Sequence, residues 1–87
     1  MSKRIIVLLK PFCKEQSIYV YEDGNAIDAK EIEMKELNNQ LETFIKEYNI
    51  SQVDLVGPSQ YAKGISKKFK KEKLTTYTEN KVMISII

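Results

Sequence analysis

Apolar residues along this chain fall into short blocks with different periods. Residues 4–9 contain the unbroken run Ile5-Ile6-Val7-Leu8-Leu9. A β-branched run of that length predicts a central strand buried on both faces. Lys10-Pro11 stops it, because proline has no N–H to give to a ladder. Residues 17–22 alternate instead, with Ile18 and Val20 on one face and Tyr19 and Tyr21 on the other. Asp23-Gly24 follows, a dipeptide suited to a two-residue hairpin turn. Residues 26–33 fit the return strand of that hairpin. Their acids Asp28, Glu31 and Glu33 would also suit the start of a helix, but the strand reading to Glu33 is preferred.

Residues 34–48 change period. Met34, Leu37, Leu41, Phe44, Ile45 and Tyr48 recur at helical spacing and make one apolar stripe. Asn49 is a helix stop. Residues 52–56 form a short strand carrying Val53, Leu55 and Val56. Gly57-Pro58-Ser59 breaks it and opens a second helix over about 59–72, with Tyr61, Ala62, Ile65 and Phe69 as its buried face. Thr75-Thr76-Tyr77 suits a short strand or a loop, Asn80 marks a turn, and residues 82–87 form a last strand. The order is βββαβαβ. The hairpin implies antiparallel pairing and the strand–helix–strand connections imply parallel pairing. The expected fold is therefore mixed α+β (α/β in the broad sense). It is a single domain over residues 1–87, with helices packed on one mixed sheet.

This order resembles the ribonuclease H-like fold over nearly the whole chain: three antiparallel strands, a helix, a strand, a helix and a further strand. In nuclease members of that fold the resemblance implies an acidic metal cluster. It starts from an Asp on the first strand and adds carboxylates from the first helix and the fourth strand. Here the first strand carries no carboxylate, while Glu36 and Asp54 are the residues that fit the other two positions. The Gly57-Pro58 turn also resembles the Gly-containing turn of actin-like ATPase halves.

Composition acts mainly by exclusion. The 87 residues are 43% hydrophobic and 30% charged, as in a folded domain with one modest core. There is no His, and Cys13 is the single cysteine. An intrachain disulfide, a His-based triad, a Cys–His pair and a standard structural zinc site are all excluded. Cys13, between Lys10 and Lys14, reads as a buried or incidental thiol. No nucleophile–base pair, metal set or cofactor loop can be assembled. The expectation is a non-enzymatic protein with no cofactor and no metal. The basic start and five-residue apolar run are too short for a signal peptide, and no segment is long enough to span a membrane. A cytoplasmic location follows as the expectation.

Charge adds a partner. The net charge of +2 divides into +4 over residues 1–14, −7 over 15–54 and +5 over 55–87. Two faces of opposite sign are implied. Lys63, Lys67, Lys70 and Lys71 fall on one stripe of the second helix and Lys73 follows, giving a candidate basic face for phosphates or an acidic protein. Thirteen of the 14 basic residues are Lys, which lacks the bidentate fork that reads base edges. A solvated helix face explains the same lysines. The acids of residues 15–54 do not match a calcium loop and read as a solvated or docking face. Ser59 and Gln60, at a helix start after a strand, are a candidate anion site. The competing reading is a plain helix start capped by Ser59. Tyr19 and Tyr21 are candidate exposed aromatics if the sheet is covered on one side only.

Three functions compete. The first is a small regulatory or interaction module that pairs with a protein partner or with itself as a homodimer, through its charged faces and sheet edges. Its size and Lys/Ile-rich composition suit an accessory protein of a phage or mobile element. The second is a nucleic-acid-binding protein using the Lys63–Lys73 segment. The third is a degenerate metal-dependent nuclease-like fold.

Overall fold

The apolar blocks pair into one mixed sheet, seen in a computed structural model that describes residues 3–10, 12–68, 73–77 and 81–86. Its strands are β1 (Lys3–Leu8), β2 (Glu15–Glu22), β3 (Asn25–Glu33), β4 (Gln52–Val56), β5 (Lys73–Tyr77) and β6 (Lys81–Ile86). They lie in the order β3-β2-β1-β4-β6-β5. A short 3-10 turn over Met34–Glu36 leads into helix α1 (Leu37–Tyr48), and helix α2 spans Ser59–Lys68. The fold is α+β.

Two local signals set the β2–β3 hairpin. Asp23 and Gly24 both hold positive φ, 51° and 85°. That is the backbone of a type I′ turn, whose twist matches the strands it joins. Residues 26–33 are strand, as preferred above. Pairing shifts between Val20 and Tyr21 so that Ile27 is the extra residue of a bulge.

The core lies on one side of the sheet. Val20, Ile5, Val53 and Ile84 stand side by side across β2, β1, β4 and β6. Ile18, Val7, Leu55 and Val82 form the next row. All eight are at most 1% exposed. The α1 stripe lies over them: Leu37, Leu41, Phe44 and Ile45 are buried, with Met34 and Tyr48 packed at the margin. Asn49 ends the helix in the left-handed region, and the N–H of Ile50 turns back to the Ile45 carbonyl (3.1 Å). From α2, Ala62 and Ile65 enter the same cluster. Both helices therefore cover one face. Two successive crossovers advancing in the same direction across a sheet, with the usual right-handedness, give that result.

Three expectations are corrected. Residues 73–77 are a strand, so the order is βββαβαββ and the sheet has six strands. The crossover through α2 does set β5 running in the direction of β4, but β5 lies two places away. The last strand, β6, fills the gap and pairs antiparallel with both. A hairpin connection forces that antiparallel return. The ribonuclease H-like resemblance implies one further strand after the second helix, whereas two follow it here, β5 and β6. Finally, β1 is central but covered on one face only: Ile5 and Val7 are buried, whereas Leu8 is 38% exposed. Phe69 and Asn80 lie outside the described residues.

Gly57 shows how tightly β1 and β4 leave the sheet together. Its φ is +153°, and a Cβ there would stand 2.8 Å from Cβ of Leu9. Leu9 donates its N–H to Val56 at 2.8 Å and is itself buried. The Gly-Pro turn is thus accounted for by close backbone packing. Among the described residues, no helix is long and apolar enough to cross a membrane.

Candidate functional site

Strand alternation puts a second set of rows on the side away from the helices. The middle row is Tyr19, Ile6, Asp54 and Met83. On one side of it run Tyr21, Arg4, Gln52 and Ser85; on the other, Ser17, Leu8, Val56 and Lys81. Ile6, Tyr19, Tyr21, Val56 and Met83 are half-buried. The two candidate aromatics thus share this uncovered face, as their alternation implied. Ile6, Leu8 and Met83 join them, which the sequence reading missed because it placed β1 under cover on both sides.

Asp54 sits in the middle of this face and is fully buried. Its Oδ1 accepts a hydrogen bond from Gln52 Nε2 at 2.8 Å. Its Oδ2 lies 3.4 Å from Lys81 Nζ and 3.8 Å from Arg4 Nη1. Two cations on neighbouring strands neutralise the carboxylate where the sheet itself cannot. The centre of the surface is therefore locally compensated. Arg4, Tyr21, Asp23, Gly24 and Gln52 line a shallow depression of about 160 Å³ at one end.

At the opposite end, the loop from β1 to β2 is fastened from below. Gln16 is 1% exposed. Its Oε1 accepts the Lys10 N–H in a short hydrogen bond, and its Nε2 donates to the carbonyls of Lys10 (3.2 Å) and Cys13 (3.0 Å). The Lys10 ammonium crosses onto the uncovered face, where it donates to Ser17 (3.0 Å) and pairs with Glu31 (3.8 Å). Phe12 is fully exposed at the tip. Cys13 is exposed as well, which corrects the buried alternative of the sequence reading and leaves the incidental one.

The remaining candidates lie elsewhere. Lys63 is exposed on α2, Lys67 is on the same helix, and Lys73 opens β5. Lys70 and Lys71 lie outside the described residues. Ser59 begins α2 and Gln60 is exposed beside it. Asp54 faces away from the helices, while Glu36 sits in the 3-10 turn before α1. Among the described residues, no group of three or more acidic or cysteine side chains is placed to hold a metal ion.

The two sheet edges differ in character. Edge β3 carries Asp28, Glu31 and Glu33 against Lys30. It is tied to α1 by Lys30 Nζ donating to Gln40 (3.0 Å) and by the Tyr48 hydroxyl donating to Asp28 (2.7 Å). That hydrogen bond raises the Tyr48 phenol above its ordinary value of about 10, assisted by desolvation and by the negative charges of Asp28 and Glu47. Edge β5 and its neighbour β6 carry Lys73 and Lys81 and no acid. The last strand is thus interior, and the edges are β3 and β5. No family model matches the chain, and neither a curated protein nor a solved structure is significantly similar to it.

Proposed function

We propose that this protein is a small non-enzymatic interaction module that docks a protein partner on the uncovered face of its sheet. The observation that carries this reading is the middle row, where Tyr19, Ile6 and Met83 surround a carboxylate already neutralised from within. Aromatic, Met and Arg side chains are the types enriched at the centres of protein interfaces. An internally compensated Asp54 can be covered without leaving an unpaired charge.

The face is better suited to docking than the β3 edge. A bulge at Ile27 and a row of charges blunt that edge against strand addition. The second reading, nucleic-acid binding, rests on the lysines of α2 and β5. The two are separated by capture on tagged protein from its native cell, with and without nuclease, using wild type and Tyr19→Lys. A protein retained after nuclease and lost in Tyr19→Lys supports face docking. Retention that vanishes with nuclease and persists in Tyr19→Lys supports the nucleic-acid reading. Capture unaffected by either treatment overturns both.

A further inference from the structure

We infer that the β5 edge pairs antiparallel with β5 of a second copy, joining two sheets edge to edge about a twofold axis normal to them. The inference concerns a sheet edge and is independent of the docking face proposed above. The two edges are unlike. Edge β3 is guarded in three ways. Its register with β2 is interrupted at Val20/Tyr21, it carries charges at Asp28, Lys30, Glu31 and Glu33, and α1 holds Lys30 and Asp28 through Gln40 and Tyr48. Edge β5 pairs with β6 from Lys73 to Tyr77 without a register shift. Its sequence, Lys-Leu-Thr-Thr-Tyr, has one charge, at the first position, and neither Pro nor Gly. Thr and Tyr are good strand formers. Among the described residues, no strand lies on its outer side. Alternate residues of such an edge turn their N–H and C=O groups outward.

Two properties of the edges select the occupant. The guarded β3 edge blocks head-to-tail growth, in which β5 of one copy would add to β3 of the next. The self-pairing left is β5 with β5, which is isologous and closes at two copies. The strand also matches itself. Antiparallel pairing centred on Thr75 sets Thr75 opposite Thr75 of the second copy, Leu74 opposite Thr76 and Lys73 opposite Tyr77. All five residues are then in register, and no like charges stand opposite each other. Such a seam forms about four to six backbone hydrogen bonds. The axis keeps both helix layers on one side of the joined sheet and both uncovered faces on the other. A seam of one short strand per copy is small, so the association is expected to be reversible.

The test is sedimentation equilibrium of the purified chain across a hundredfold concentration range. Wild type is expected to dimerise. Positions 74 and 76 are in register with Ser85 and Met83, on the side away from the helices. Leu74→Lys/Thr76→Lys therefore sets like charges opposite each other twice, and so does Leu74→Glu/Thr76→Glu. Each is expected to weaken dimerisation at least tenfold, with far-UV circular dichroism showing that it stays folded. An equimolar mixture of the two should recover the dimer, because each position then faces the opposite sign. Thr75→Cys in a Cys13→Ser background reads the register without added charge. On the axis it faces itself, so a thiol oxidant should link the two copies. Lys73→Cys in the same background lies about 13 Å along the strand from its counterpart and should stay unlinked.

A wild-type chain that stays monomeric overturns the second copy. So does a monomer whose capture of another protein is lost in Leu74→Lys/Thr76→Lys, which assigns the edge to a foreign strand. A dimer indifferent to both charge variants overturns the β5 seam. A mixture that fails to recover the dimer, or a link through Lys73→Cys in place of Thr75→Cys, overturns the register. Tyr19→Lys should leave the dimer unchanged, so failure of the edge and failure of the docking face are read separately.

Discussion

Asp54 illustrates how a single residue can be costly and well placed together. A carboxylate with no exposure is stable only with compensation, which Arg4, Lys81 and Gln52 supply from adjacent strands. Replacing it as Asp54→Asn keeps an oxygen for Gln52 and removes the charge between two cations. Both cations reach solvent, with side chains 45% and 37% exposed, so they can turn outward. The expected loss is about 1–2 kcal/mol, read from the urea midpoint at constant slope. Gly57 acts through space and not through charge. In Gly57→Ala the new methyl group meets Leu9 at 2.8 Å in a backbone conformation that L side chains rarely adopt. A loss of about 2–3 kcal/mol is expected in the same measurement.

Elements show which information is local. The α1 stripe and the β2–β3 hairpin were legible because a 3.6-residue period and an Asp-Gly turn are written within a few residues. The position of β6 was not. Which strand fills the gap beside β4 depends on pairing between residues about 30 apart, which no local period records. The uncovered face was half legible: the alternation in β2 pointed to Tyr19 and Tyr21, whereas the five-residue apolar run in β1 concealed that Ile6 and Leu8 face away from the helices. Asp54 in register with Ile6 is the signal that the fourth strand has an uncovered side. The β1–β2 loop gives a prediction at this scale. Gln16→Leu leaves the Lys10 N–H and two carbonyls without their side-chain partner, at a cost of about 1–2 kcal/mol. Amide exchange at Lys10 should accelerate more than at Val20, which lies in the core. The bond between Tyr48 and Asp28 makes stability depend on pH. The folded phenol titrates above its unfolded value, so its contribution is complete below about pH 10 and fades as pH rises through the folded value. Wild type should therefore lose more stability than Tyr48→Phe between neutral and strongly alkaline pH, measured by thermal unfolding across that range.

At the scale of the molecule, the order of strands arranges charge as well as shape. Because the acidic middle of the chain supplies β3 and the basic later part supplies β5 and β6, one sheet carries a negative and a positive flank. That gradient lies across the strands, a direction the linear sequence does not run in. The same topology bears on how the chain matures during synthesis. Strand β4 is completed at Val56, yet its second neighbour is β6, which begins at Lys81. Until that later segment leaves the ribosome, β4 presents a bare row of N–H and C=O groups beside Val53 and Leu55. Such an edge is a template for any passing strand. Strand β5 cannot cover it early, because it touches the sheet only through β6. Assembly is thus forced into two stages, with β5 and β6 docking together as a closing flap. Deleting residues 81–86 should leave a chain that aggregates on purification, seen by light scattering, even though both helices and the three remaining strand pairings are intact. The vulnerable interval of this protein's life is the one between the emergence of its fourth strand and its sixth, when a nascent-chain chaperone would have most to shield.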